Sequence, residues 1–187
     1  MIIGTKRLLE LVNDPTVNLV EGLCERELTN PEGECFDFRV GAMYDYADTS
    51  PKGFLGIEKR DTPDVEFIAK YDFDLDKQQV VSLNPREYVL VETIEKVNLP
   101  EKISLRFTPR TTLQRNGILL ITSNASPGYS GGLTFGMYNL GNVQFKLEMG
   151  ARICSAIFEE TSDNVSQYRG QWQGGRVSTK GRSERQV

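Results

Sequence analysis

The chain has 187 residues and a mass of 21.1 kDa, enough for one substantial domain with little left for a second. Hydrophobic residues make up 39%, charged residues 26%, and the net charge is −4, which excludes a disordered, fibrous or membrane-embedded chain. The absence of histidine excludes Ser-His-Asp and Cys-His catalysis, His-ligated zinc and any imidazole proton transfer.

Near the start, Leu8, Leu9, Leu11 and Val12 form a sided apolar stripe that predicts a short helix. Thr5 is expected to cap it, and Asn13-Asp14-Pro15 to stop it. Met1-Ile2-Ile3-Gly4-Thr5-Lys6-Arg7 puts its charge after a short apolar start, the reverse of a secretion signal. No apolar run approaches the roughly 20 residues of a membrane span, so a cytoplasmic protein is expected. Residues 13–64 are rich in turn formers, including Asn30-Pro31-Glu32-Gly33, Ser50-Pro51-Lys52-Gly53 and Thr62-Pro63-Asp64, and predict irregular β structure. Cys24, Cys35 and Cys154 lack metal-site spacing and suit reduced core thiols.

After Asp64 the pattern becomes regular. Val65–Tyr71, Gln79–Leu83, Tyr88–Thr93, Ile103–Phe107, Ile118–Thr122, Leu133–Tyr138, Val143–Leu147 and Arg152–Phe158 each predict a strand. They are short, aromatic or β-branched, and separated by Pro, Gly or Asn. Alternation over 143–147 predicts one buried and one wet face. The fold class is all-β with a minor helix: an antiparallel sandwich, jelly roll or distorted barrel. Residues 1–164 read as a single β domain. Residues 165–187 read as a basic Gly/Gln-rich tail, with five cations against Glu184, a net +4 on a body of −8. The acidic body argues against broad nucleic-acid binding, whereas the tail could meet one compact polyanion or lie idle in solvent.

Chemistry without histidine falls to carboxylates, hydroxyls, guanidiniums and backbone amides. Their densest cluster is Thr108-Pro109-Arg110-Thr111-Thr112-Leu113-Gln114-Arg115-Asn116-Gly117. Two hydroxyls and two arginines just after a strand can gather around an anion, or can simply decorate a short surface helix.

These residues carry a resemblance to the dCTP deaminase and trimeric dUTPase superfamily, its deaminase branch in particular. Arg110–Gly117 is similar to that family's Arg-Ser-Ser-Leu-Ala-Arg-Leu-Gly, and Asn98-Leu99-Pro100 to its Leu-Pro. Cys35–Gly41 resembles Val-Asp-Leu-Arg-Leu-Gly, and Ser126-Pro127-Gly128-Tyr129-Ser130-Gly131 resembles Asp-Pro-Gly-aromatic-x-Gly. Tyr138-Asn139-Leu140-Gly141, Gly150-Ala151-Arg152-Ile153 and Tyr168–Gly174 continue the series in order.

The resemblance implies a distorted β-barrel or jelly roll assembled as a homotrimer, with nucleoside triphosphates bound at subunit interfaces and magnesium accompanying them. It implies deamination of dCTP, hydrolysis of dUTP, or both. It places Arg110, Thr111, Thr112 and Arg115 at the phosphates, Ser126 and Tyr129 in the nucleotide site, and Tyr168 in a closing lid with Arg176 or Lys180. It also exposes two losses. The glutamate that shuttles protons falls on Gly136, and the aspartate of the Asp-Pro-Gly turn falls on Ser126, far too weak a base near neutral pH.

Three readings stay open: a nucleotide binder with impaired or altered catalysis, an active enzyme with a carboxylate from elsewhere, and a purely structural β trimer. For the second, Glu148 and Asp37 are the acids considered.

Overall fold

The computed structural model describes residues 1–47, 53–180 and 182–185. Its elements in chain order are α1 (Thr5–Asn13), β1 (Val20–Glu21), α2 (Glu25–Thr29), β2 (Cys35–Tyr46), β3 (Phe54–Leu55), β4 (Lys59–Asp61), β5 (Val65–Lys70) and β6 (Val80–Leu83). Then follow β7 (Tyr88–Asn98), β8 (Ile103–Pro109), α3 (Thr111–Arg115), β9 (Ile118–Ile121), β10 (Ser130–Asn139), β11 (Phe145–Glu148), β12 (Arg152–Glu160) and β13 (Glu184–Arg185). The all-β class is borne out, and every strand expected after Asp64 is present. Of the turn expected over Ser50-Pro51-Lys52-Gly53, the first three residues lie outside the described ones.

The main sheet has the order β8-β12-β2-β7-β10-β9, with β1 added to β7 and β5 to β2, all antiparallel. An isolated bridge between Leu105 of β8 and Ala125, just past β9, ties the two edges together, so the sheet curls into a nearly closed barrel. Inside lie Phe36, Phe38, Val40, Met43, Val91, Leu105, Met137, Ile153 and Phe158, each fully or almost fully buried. The alternation expected around 143–147 appears in β11: Phe145 and Leu147 turn inward, Lys146 and Glu148 outward.

Three local expectations need correction. Thr5 does not cap α1: Gly4 holds the cap position, Thr5 is already helical, and no side chain caps the helix. The irregular stretch 13–64 contains the twelve-residue β2, which runs through the middle of the sheet, and a one-turn helix, α2. Of the three cysteines only Cys154 is a core thiol, its pKa pushed up by burial, whereas Cys24 and Cys35 are half-buried; all three are free.

Several motif residues hold the frame. Asn139, fully buried, donates to the carbonyls of Leu83 and Val143 at 3.0 Å and accepts from Gly141 N–H at 2.9 Å, stapling the end of β10 to β6 and the following turn. Glu95, also fully buried, accepts from Arg39 Nε at 2.7 Å and from Arg39 N–H at 2.8 Å. Burial nevertheless raises its pKa. No helix among the described residues is long and apolar enough to cross a membrane.

Candidate functional site

The residues singled out from the sequence divide between two clefts that share no lining residue: Arg110 and Thr111 border one, Tyr129, Tyr168 and Arg176 the other, and Thr112, Arg115, Ser126 and Lys180 line neither. The first, about 400 Å³, lies where β8 runs into α3 and is bordered by Thr108, Pro109, Arg110, Thr111, Asp37, Ser155 and the segment Arg26–Cys35. Asp37 is its hub. The carboxylate accepts from Arg110, from Arg152 at 2.8 Å and from Ser155 Oγ at 2.9 Å, with Arg26 at 3.5 Å. Buried Glu27 pairs with Arg26 and accepts from Asp37 N–H at 3.1 Å. Three guanidiniums converge on one nearly buried carboxylate, while Glu27, Glu32 and Glu34 also border the cleft, so its cations are matched by acids. Thr111 and Thr112 open α3 with exposed side chains. Arg115, in its last turn, has no ion-pair partner among the described residues.

The second cleft, about 330 Å³, is lined on one side by the barrel and on the other by the C-terminal segment. The barrel contributes Tyr46, Leu90, Ser123–Ala125, Tyr129 and Gly132–Phe135, and the hairpin before β5 contributes Thr62 and Pro63. Tyr168, Trp172 and Gly175–Val177 complete it. Gly128 has φ +82°, which the sharp turn after Pro127 demands, and this turn delivers Tyr129 into the cleft. Tyr129 packs edge-on against Tyr168, with ring centroids 5.2 Å apart, and its hydroxyl donates to the Gly132 carbonyl. Burial, with Tyr168 and Glu92 nearby, pushes its pKa up to about 12, so it is a neutral donor. Ser126 lies in the same turn, its carbonyl accepting from Tyr129 N–H at 3.1 Å, but it does not line the cavity.

The C-terminal segment follows the body closely. Tyr168 N–H donates to the Pro127 carbonyl at 2.7 Å, and Gly174 N–H to the Ser130 carbonyl at 2.8 Å. Further on, Thr179 bonds Thr62, and β13 pairs with β4. Two guanidiniums lie over the Trp172 ring, Arg60 at 4.6 Å and Arg176 at 5.3 Å from its centroid. Arg176 also holds Glu184 through two bonds, at 2.7 and 3.0 Å. The exposed Lys180 has a left-handed backbone, φ +53°, and no ion pair among the described residues.

Gly136, where the resemblance expects the proton-carrying glutamate, is buried in β10 between Leu90 of β7 and Ile121 of β9. The space over it belongs to Tyr88. A Cβ at this position would meet Tyr88 Cζ at 2.9 Å and Cε2 at 3.0 Å, with the hydroxyl closer still. Tyr88 is itself stacked on Tyr46 at 5.6 Å. The glutamate position is therefore filled by an aromatic ring from the neighbouring strand.

Sequence reasoning missed Glu92. It stands opposite Thr134 in the β7–β10 register and accepts from Tyr44 Oη at 3.2 Å. Burial raises its pKa from the ordinary glutamate value, opposed by the Tyr44 bond and by Lys96. The available signal was its spacing: Tyr88, Leu90 and Glu92 alternate with Val89, Val91 and Thr93, which places an acid on the less buried face of a strand. Among the described residues no group of three or more Cys, Asp or Glu could hold a metal ion.

The comparisons with known proteins agree with this architecture. A family model described as dCTP deaminase-like matches residues 24–161. The dCTP deaminase of Pyrococcus horikoshii is 34% identical over 109 residues, which span 58% of this chain and 70% of that protein. The dUMP-forming dCTP deaminase of a Sulfurihydrogenibium species is 29% identical over 128 residues, 67% of this chain and 71% of that one. Among solved structures, the 2'-deoxycytidine 5'-triphosphate deaminase of Agrobacterium tumefaciens superposes with a TM-score of 0.63 at 14% identity, covering 86% of this chain and 48% of that one. That last likeness concerns the fold. With more than half of the sequence matched by the family model, and over two thirds of an archaeal deaminase matched at 34% identity, the chain belongs to the dCTP deaminase-like family.

Proposed function

We propose that the chain binds a pyrimidine deoxynucleoside triphosphate at sites shared between the subunits of a homotrimer, with catalysis impaired or altered relative to its family. The observation that carries this reading is the division of the candidate residues. The guanidinium-and-hydroxyl cluster at α3 and the aromatic cavity under the tail belong to separate clefts within one chain, and in this reading a second copy brings one to the other. Thr111, Thr112 and Arg115 then offer hydroxyls and an unpaired guanidinium to the phosphates. Arg110 shapes that cradle from its place on Asp37. Residues 165–187 act as the lid, Tyr168 and Arg176 closing the cavity and Lys180 adding charge at its rim. Magnesium comes with the triphosphate, bound to its oxygens, as part of the ligand.

The loss at Gly136 supports altered catalysis, because a glycine beneath a tyrosine ring can neither activate water nor protonate a leaving group. Ser126 adds no base. Of the two replacement acids considered, Asp37 is engaged by arginines, and Glu148 is exposed beside a different cleft bordered by Arg39 and Tyr71.

Thermal unfolding with a panel of nucleoside triphosphates and magnesium tests the binding. A ligand at 100 times its Kd adds about 2.7 kcal/mol of stability, which a melting curve resolves. Stabilisation by a pyrimidine deoxynucleoside triphosphate, a trimer by light scattering and little ammonia released from dCTP are the expected results. No stabilisation by any nucleotide, or a monomer, would overturn the reading.

A further inference from the structure

Among the described residues, Arg176 is the one charged side chain that lines the aromatic cavity, and it already holds an anion. Its Nε and Nη2 donate to the Gln171 carbonyl at 2.9 and 2.5 Å, which fixes the plane of the guanidinium. Its outer edge grips Glu184, with Nη1 at 2.7 Å from Oε1 and Nη2 at 3.0 Å from Oε2. Arg60 of β4 lies over the same Trp172 ring and brings a second guanidinium to that carboxylate. Its Nη2 stands 3.7 Å from Glu184 Oε2, an ion-pair distance too long for a hydrogen bond. Arg60 Nε and Nη2 are buried and have no hydrogen-bond partner among the described residues. Two guanidiniums therefore converge on one carboxylate and leave donors over. The segment that delivers Glu184 is lightly held. β13 has two residues, Arg185 stands opposite Lys59 with like charges facing, and Gln171 adds one bond to the Arg185 carbonyl. Of the neighbouring acids, Glu58 is exposed in the hairpin turn, and Asp61 follows Arg60 on the alternate face of β4.

We infer that Arg60 and Arg176 form an anion site that Glu184 fills from within the chain, and that the terminal phosphate of a polyphosphate takes its place and releases β13 from β4. The inference rests on the reading that the C-terminal segment closes over a triphosphate. A terminal phosphate brings about two negative charges and three acceptor oxygens, against the single charge and two oxygens of a carboxylate. The donors that Arg60 leaves over then gain acceptors. Arg176 need not move, because the Gln171 carbonyl keeps its guanidinium in place while the bidentate edge changes partners. Glu184 is the only acid beyond Asp163, so once it leaves, the cations of β13 and β4 face one another without it. Glu184 is thus a built-in competitor. A singly charged anion displaces it poorly, whereas a triphosphate displaces it readily, so the pair sets a threshold on the charge of the ligand.

Calorimetric titration of the full chain with dCTP and dUTP, each with magnesium, tests the exchange, together with hydrogen exchange at the amides of 59–61 and 184–185 before and after saturation. Glu184→Gln is expected to bind nucleotide about fivefold more tightly than the unaltered protein, the span that an exposed ion pair supports. Arg60→Gln is expected to bind about fivefold more weakly. Saturation of the unaltered protein is expected to speed exchange where β13 meets β4. A Glu184 that only latches the segment shut predicts the opposite signs: weaker binding in Glu184→Gln, and slower exchange on saturation. Either of those results, or an unchanged affinity in either variant, would overturn the inference while leaving nucleotide binding intact. Failure of both nucleotides to bind the unaltered protein and Glu184→Gln would overturn the underlying reading, and the inference with it.

Discussion

Replacing Gly136 by glutamate looks on paper like a repair of the family's acid, and the structure predicts that it fails. The new Cβ would overlap the Tyr88 ring, whose nearest carbons stand 2.9 and 3.0 Å from it. Overpacking of this kind costs about 1–3 kcal/mol. The relief available is to swing Tyr88 outward, which gives up its stacking on Tyr46 and its tilted contact with Tyr138, about 0.5–1.5 kcal/mol for an aromatic pair. A total near 3 kcal/mol lowers the melting temperature by about 6–12 °C in a domain of this size. Differential scanning calorimetry on Gly136→Glu, Tyr88→Ala and the double variant measures it. The double variant removes the obstacle, so it should melt higher than the sum of the two single losses requires, with a coupling of at least about 1 kcal/mol. A Gly136→Glu protein melting within a degree or two of the unaltered chain, or strictly additive losses, would refute the claim that Tyr88 fills this position.

Other substitutions test the surroundings. Glu92→Gln should stabilise the protein at neutral pH, by about 1 kcal/mol on the scale of a partly buried unpaired charge. Because burial raises the folded pKa of Glu92 above its unfolded value, the unaltered chain loses stability as pH rises from the ordinary carboxylate range through the raised value. The advantage of the glutamine should therefore vanish in acid, and chemical denaturation at two pH values shows whether it does. Asp37→Asn should cost about 2–3 kcal/mol by leaving Arg152 of β12 and Arg110, just before α3, without their shared carboxylate, read as a lower denaturation midpoint at constant m-value. Glu184 is held below its usual pKa, chiefly by its bond to Arg176. A depressed carboxylate contributes above its unfolded pKa and ceases to contribute as pH falls through the folded one. The C-terminal segment should accordingly become more accessible to an acid-active protease once the pH drops below the ordinary glutamate range, and Trp172→Ala should open it already at neutral pH.

The strands after Asp64 were legible because each is a short β-branched or aromatic run between turn formers, with local alternation enough to place it. β2 was not, although it is central to the sheet. Gly41 interrupts Cys35–Tyr46, and its Cβ position lies 2.7 Å from Ile94 N on β7, a close approach between strands that no local pattern announces. α2 escaped because Glu25–Thr29 has no apolar periodicity and buries a glutamate, stabilised by Arg26 and by the distant Asp37 backbone. In the site, the cluster Arg110–Arg115 stood out from composition alone, as either an anion cradle or a decorated surface helix. The difference between its two arginines was not legible: Arg110 meets an aspartate 73 positions away, whereas Arg115 has no ion-pair partner among the described residues. The filling of the Gly136 position by Tyr88, and the placing of Glu92 against Thr134, depend on the register between β7 and β10. That register is set by tertiary pairing and not by either strand's own sequence.

Titration of the unaltered protein and of Arg115→Ala with magnesium and dCTP or dUTP, followed by calorimetry at low and moderate salt, tests most directly whether a polyphosphate is grasped. The account predicts binding that weakens with added salt and falls by an order of magnitude or more when this unpaired guanidinium is removed. Absence of heat with both nucleotides, or an affinity indifferent to the loss of Arg115, would contradict it.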